Sequence, residues 1–168
     1  SSKKLFLTPG CHDPLTAKLI EKEKFDFIFI GGFALSSGQY GYPDAGIITL
    51  SELVSSTRKI QRSTNLPCIV DADTGFGGTI NIYRTVRDLA DIGVAALIIE
   101  DQEFPKKCAL TEKVKILNFQ ESCERIKAAV KAAKENKNQD IGIIARTDAY
   151  PVLGIKETVK RIKAFKSL

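Results

Sequence analysis

Four short apolar runs, at residues 25–30, 67–70, 95–99 and 141–145, punctuate the chain, and each breaks off at glycine or at a charged side chain. Runs this short and continuous suit strands covered on both faces, as in a parallel sheet. Between them, apolar positions recur with a helical period. Leu53, Val54, Thr57 and Ile60 mark a helix over 50–63, while Ile82, Val86 and Leu89 mark another over 81–92, with Gly93 placed to end it. Asp13 followed by Pro14 reads as an N-cap and a first-turn proline that open a helix over 15–24. Residues 119–134 and 156–165 repeat the pattern.

One helix followed by four strand–helix units predicts right-handed crossovers in an α/β fold. The rhythm alone fits an open doubly wound sheet as well as a closed barrel. The polar residues separate the two, because an open sheet concentrates its site at one crevice. Here every strand end delivers something: Gly31 and Gly32, then Asp71 and Asp73, then Glu100 and Asp101, then Arg146 and Asp148. That edge is the mouth of a (β/α)8 TIM-type barrel. A barrel of this kind takes roughly 250 residues. Residues 1–168 are therefore expected to form a single domain, the N-terminal half to two-thirds of the barrel of a longer enzyme.

Composition narrows the partners. With 43% apolar and 27% charged residues, the chain has the balance of a folded globular protein. No apolar run approaches the ~18 residues of a spanning helix, so no membrane partner is expected. Four widely spaced cysteines read as thiols of an intracellular protein, cytoplasmic or in the mitochondrial matrix. The net charge of +5 comes largely from residues 127–137 and from Lys156, Lys160, Arg161, Lys163 and Lys166, read as solvated helix faces. Without aromatic or glycine-rich reader motifs among them, no nucleic-acid partner is expected, and attraction of a small anionic substrate is the alternative use of that charge.

The candidate chemistry sits at the strand ends. Asp71 and Asp73 lie two apart, and an extended backbone would point both the same way. Like charges held close call for a cation or proton between them. With one histidine in the chain, a zinc site is poorly supported, and all-oxygen ligation favours Mg2+ or Mn2+. Glu100 is a natural third carboxylate and Asp44 a fourth; the bland alternative for each is a helix cap or a loop hydrogen bond. The Gly-Phe-Gly-Gly run at 75–78 could instead cradle a phosphate. Arg146 ends a buried strand and needs an anionic partner, either a neighbouring carboxylate or a substrate carboxylate. Cys108 follows Lys106 and Lys107, whose charges favour thiolate, on what reads as a closing loop; the alternative is an exposed thiol among solvated lysines. Cys11, Cys68 and Cys123 read as packing residues.

These motifs, Pro9-Gly-Cys-His-Asp13, Gly41-Tyr-Pro-Asp44, Asp71-Ala-Asp-Thr-Gly-Phe-Gly-Gly78, Ile99-Glu-Asp-Gln102, Phe104-Pro-Lys-Lys-Cys108 and Ala145-Arg-Thr-Asp-Ala149, resemble the isocitrate lyase/phosphoenolpyruvate mutase superfamily. The likeness is greatest to its methylisocitrate lyase and carboxyphosphonoenolpyruvate mutase branch. It implies a homo-oligomeric barrel, dimer or tetramer, with Mg2+ bound directly by Asp71 and largely through water by Asp44, Asp73 and Glu100. Arg146 would bind a substrate carboxylate, Gly31 and Gly32 would touch substrate through backbone amides, and Lys106 and Cys108 would lie on a gating loop with Cys108 as acid/base. The implied reaction cleaves the C2–C3 bond of a small 2-hydroxy di- or tricarboxylate, with P–C bond mutase and oxaloacetate decarboxylase or hydrolase chemistry as relatives of it, and a catalytically degenerate carboxylate-binding or assembly subunit as the non-enzymatic alternative. The mutases typically carry asparagine where this chain has Cys108, which favours the lyases. The lyase loop usually continues with glycine and histidine, where this chain has Ala109 and Leu110, and the first strand usually carries tyrosine and serine, where it has Phe29 and Gly31.

Overall fold

The structure is a computed structural model that describes residues 5–108, 113–137 and 139–168. Five strands, β1 (Gly10–Cys11), β2 (Ile28–Ile30), β3 (Cys68–Asp71), β4 (Ala96–Glu100) and β5 (Gly142–Arg146), form one parallel sheet in chain order. Helix α1 (Pro14–Lys22) links β1 to β2, α2 (Gly32–Gln39) and α3 (Leu50–Gln61) lie between β2 and β3, α4 (Thr79–Ala90) precedes β4, α5 (Phe119–Glu135) precedes β5, and α6 (Tyr150–Lys166) follows it. Sequential parallel order with a helical crossover at each step is the connectivity of an arc of the expected barrel. None of the described helices is long and apolar enough to cross a membrane.

The sheet is asymmetric across its faces. Ile28, Ile30, Val70, Leu97 and Ile99 are fully buried and belong to one core with Leu53, Ile60, Ile82, Val86, Leu89 and Ile126 of the helices. Each such side chain contributes about 1.5–3 kcal/mol of burial. Residues of opposite parity, Phe29, Ile69, Ile98 and Ile144, are less covered. Because side chains alternate along a strand, this second face also receives Gly31, Asp71, Glu100 and Arg146. The β4–β5 register sets Glu100 directly against Arg146.

Local signals account for the helix starts. The Asp13 carboxylate accepts the Thr16 N–H at 2.8 Å, and Thr49 with Glu52 forms a reciprocal capping box on α3. Helix α6 begins six residues earlier than its charged periodicity indicates, and is kinked at Gly154, whose φ of 77° suits glycine. Two elements went unforeseen, β1 and α2. Arg161 also departs from expectation: it is not on a solvated face but buried. Its guanidinium reaches Asp101 at 2.9 Å, the Ser122 hydroxyl at 2.8 Å and the Leu117 carbonyl at 2.8 Å. A buried guanidinium needs such partners to offset lost hydration.

Candidate active site

The C-terminal strand ends open into a cavity of about 620 Å3 lined by Phe29, Gly31, Gly32, Phe33, Asp44, Asp71, Glu100, Gln102, Lys106, Lys107, Cys108, Arg146 and Asp148. Eight of the nine residues anticipated from the sequence therefore share one wall or another of a single space. The ninth, Asp73, lies beneath it, 2.6 Å from the Lys106 ammonium. Ala109 and Leu110 lie outside the described residues.

Two strand ends supply Asp71 and Glu100. Asp73 arrives differently from the expected alternation along an extended strand. Its φ is 49°, and its backbone N–H donates to the Asp71 carboxylate at 3.0 Å, so a tight turn rather than a strand sets its direction. Gly31 caps α2 and Gly32 is its first residue, which brings helix-start backbone to the cavity. A Cβ at Gly32 would lie 2.9 Å from Asp73 Oδ1, so the main chain approaches the acid more closely than any side chain would allow. Asp44 comes from the loop after α2, which is tied back by the Tyr42 N–H to the Ser36 carbonyl at 2.9 Å.

Lys106 and Arg146 carry the ion pairs of the cluster. Lys106 Nζ sits between Asp44, at 2.5 Å, and Asp73, at 2.6 Å. Arg146 grips Asp148 with two parallel bonds of 2.8 and 2.9 Å and approaches Glu100 at 3.2 Å and Asp71 at 3.7 Å. The two-way choice for Arg146 thus has one answer in hand, a neighbouring carboxylate. The lysine is buried, not solvated.

Burial raises the Glu100 carboxyl to about 8, against the opposing pull of Arg146. Burial, with the neighbouring Asp71 charge, lifts Asp73 to about 6 although Lys106 draws it back. For Lys106 burial works against the charge, but Asp73 and Asp44 outweigh it and hold the ammonium above the ordinary lysine range. Arg146 follows the same logic, with Asp148 and Glu100 outweighing burial. Cys11 and Cys68 are fully buried and raised to about 11 and 12 by desolvation, as packing thiols should be.

Glu100 Oε1 is buried without a hydrogen-bond partner, next to Asp71 and Asp73. Among the described residues no group of three or more His, Cys, Asp or Glu side chains is placed to hold a metal ion by itself. Oxygen-only donors, an unsatisfied buried carboxylate oxygen and room for water suit a hard divalent cation that keeps most of its hydration, and not one that needs an all-protein cage.

Three further residues of the site had no role assigned from the sequence, although Asp101 and Asp148 were read at strand ends. Asp148 aligns Arg146, Gln102 joins Asp148 to the Lys107 backbone, and Asp101 accepts from the Asp148 N–H at 3.0 Å and the Thr147 hydroxyl at 2.7 Å while pairing with Arg161. Asp101 and Gln102 adjoin Glu100 in one motif, which was the available signal.

The family model for phosphoenolpyruvate phosphomutase matches residues 1–167. The chain is 41% identical over 166 residues to 2,3-dimethylmalate lyase of Eubacterium barkeri, covering 99% of this chain and 56% of that protein. It is 41% identical to 2-methylisocitrate lyase of Aeropyrum pernix, covering 96% and 50%. A crystal structure of 2,3-dimethylmalate lyase superposes with a TM-score of 0.92 at 34% identity, over 98% of this chain and 55% of that one. Phosphonopyruvate hydrolase in complex with oxalate and Mg2+ superposes with a TM-score of 0.85 at 33% identity, over 98% and 55%. The chain thus spans about half the length of the relatives it matches. With its motifs, its arc of parallel strands and this match along nearly its full length, the chain belongs to the phosphoenolpyruvate phosphomutase family, within the isocitrate lyase/PEP mutase superfamily.

Proposed function

We propose that the protein is a Mg2+-dependent carbon–carbon lyase that cleaves a small 2-hydroxy di- or tricarboxylate of the 2-methylisocitrate type to an α-keto acid and a second fragment, a dicarboxylate from a tricarboxylate and a monocarboxylate from a dicarboxylate. One observation carries the reading: Asp44, Asp71, Glu100, Lys106, Cys108 and Arg146 face a single cavity, with Asp73 directly beneath. Relatives named as lyases of 2,3-dimethylmalate and 2-methylisocitrate support it.

In this reading Asp71 would hold Mg2+ directly, with Mn2+ as a substitute, while Asp44, Asp73 and Glu100 would hold it through water. When bound, such a cation offsets the negative charge that develops on substrate oxygens as the bond breaks. Arg146, already aligned by Asp148, presents a fork to a substrate carboxylate. The amides at Gly31 and Gly32 bind the other end of the substrate. Lys106 holds the 103–108 segment down over the acids through its two ion pairs. As the C2–C3 bond breaks, the 2-hydroxyl gives up its proton to a carboxylate of the acid cluster and becomes the keto group, the electron pair of the broken bond stays on the other carboxylate fragment, and Cys108 delivers the proton that quenches it. The full protein is expected to work as a homo-oligomer in the cytoplasm or mitochondrial matrix.

The test is a substrate panel on the protein. Keto-acid release from 2-methylisocitrate or 2,3-dimethylmalate, abolished by EDTA and restored by Mg2+, is the expected result. Efficient turnover of phosphonopyruvate or oxaloacetate, with neither hydroxy acid cleaved, would replace the lyase reading with mutase or hydrolase chemistry.

A further inference from the structure

Residues 103–115 leave and return to the body at one point. The chain pinches at the Gln102–Ile116 bridge, where the Glu103 N–H donates to the Lys115 carbonyl at 2.8 Å and the Leu117 N–H to the Asp101 carbonyl at 3.0 Å. Above that base residues 103–108 are held from two sides of the cavity. One tie is the Lys106 ammonium, bound to Asp44 and Asp73. The other is the side chain of Gln102.

Gln102 is buried, and its amide bridges two groups of fixed polarity. Its Nε2 donates to Asp148 Oδ2 at 2.7 Å, and its Oε1 accepts the Lys107 N–H at 3.0 Å. A carboxylate oxygen only accepts and a backbone N–H only donates, so the orientation of the amide is determined. Asp148 Oδ2 also accepts from Arg146 Nη2 at 2.9 Å. The same carboxylate oxygen therefore serves both the guanidinium of the site and, through Gln102, the backbone between Lys106 and Cys108. Asp148 is itself anchored from behind, its N–H donating to Asp101, which pairs with Arg161.

We propose that Gln102 is a positioning residue that couples the Arg146–Asp148 pair to the Lys106–Cys108 segment, so that the proton donor is set in place when the carboxylate-binding arginine is. The inference rests on the lyase reading of the site for its purpose, but its geometry concerns the loop alone. Arg146 is the partner that a substrate carboxylate would engage, and a shift of its fork changes the load on Asp148 Oδ2. Gln102 passes that change to the Lys107 amide and hence to Cys108.

Gln102→Met keeps the length and packing of the side chain and removes both hydrogen bonds. Gln102→Glu keeps an acceptor for the Lys107 N–H but sets a second carboxylate against Asp148. The readout is the rate of iodoacetamide alkylation at Cys108, followed by mass spectrometry with Cys123 on α5 as the internal reference thiol, beside a thermal melt. Both variants are expected to speed Cys108 alkylation about fivefold, the scale of one lost buried hydrogen bond, with Cys123 unchanged and the melting temperature lowered by only a few degrees. In the active protein kcat should fall more than KM rises. Unchanged Cys108 reactivity in both variants overturns the proposal, as does equal acceleration of both thiols, which marks a merely structural residue. Because alkylation needs no turnover, a selective Cys108 response in a protein that cleaves neither hydroxy acid would sink the lyase reading and leave this coupling standing.

Discussion

Lys106 Nζ lies 2.6 Å from Asp73 Oδ1, and both side chains are buried. A loop cation and a turn carboxylate, 33 positions apart in the chain, thus neutralise each other at the base of the cavity. Such a pair is costly to break on one side only, because the survivor keeps its desolvation cost without its partner.

Lys106→Met should therefore destabilise the protein by roughly 3–5 kcal/mol near neutral pH. Asp73 titrates at about 6 even with the lysine present, so below that value protonation relieves the orphaned acid. Urea melts at pH 5 and pH 8 check this: the deficit should be smaller at pH 5. Equal deficits at both pH values would show that Asp73 is not the group left behind.

Glu100 makes a second pH prediction. Its carboxyl stands at about 8 in the folded protein against an ordinary 4.5, mainly through burial. A raised carboxyl contributes fully to stability below 4.5 and loses that contribution as pH rises through 8, a change of about 5 kcal/mol at most. The metal-free protein should melt lower at pH 8 than at pH 5, and Glu100→Gln should flatten most of that slope. Millimolar Mg2+ should raise the melt at pH 8 in the parent protein more than in the variant.

Cys108→Ser should retain substrate binding and lose turnover by about 10²–10⁴-fold, the range for a positioned proton donor. Steady-state kinetics with 2-methylisocitrate or 2,3-dimethylmalate would show it as a fall in kcat with little change in KM. An undiminished kcat removes Cys108 from the chemistry.

Arg161→Met strips Asp101 of its buried counter-charge and leaves it the Thr147 hydroxyl and Asp148 N–H as partners. A loss of roughly 3–5 kcal/mol is expected, read in a denaturant melt. Replacing Asp101 by leucine as well should recover part of it, since an apolar pair of similar volume can match a buried ion pair.

The strand–helix rhythm was legible because continuous apolar runs and helical periods are local properties of the chain. Asp71, Glu100 and Arg146 were legible for a related reason: a polar residue closing an apolar run marks a strand end, and in a parallel sheet all such ends face one way. The two-residue strand β1 has no run to read. The α2 sequence, Gly-Phe-Ala-Leu-Ser-Ser-Gly-Gln, carries two glycines and no charged residue to mark an amphipathic face. Arg161 looked solvated because its helix is rich in lysine, and its partner Asp101 lies 60 residues earlier. Asp73 was picked for the right neighbourhood on the wrong backbone, since a turn with positive φ does not announce itself at an aspartate.

The contact between Gly32 and Asp73 makes those two positions interdependent. A methyl group at 32 would press on the carboxylate at 2.9 Å, so a chain of this family that carries a side chain at 32 must shorten, lose or redirect its acid at 73. The two positions should then vary together across relatives. Where such paired change is found, it would divide the family into branches with differently built cation sites before any substrate has been assayed.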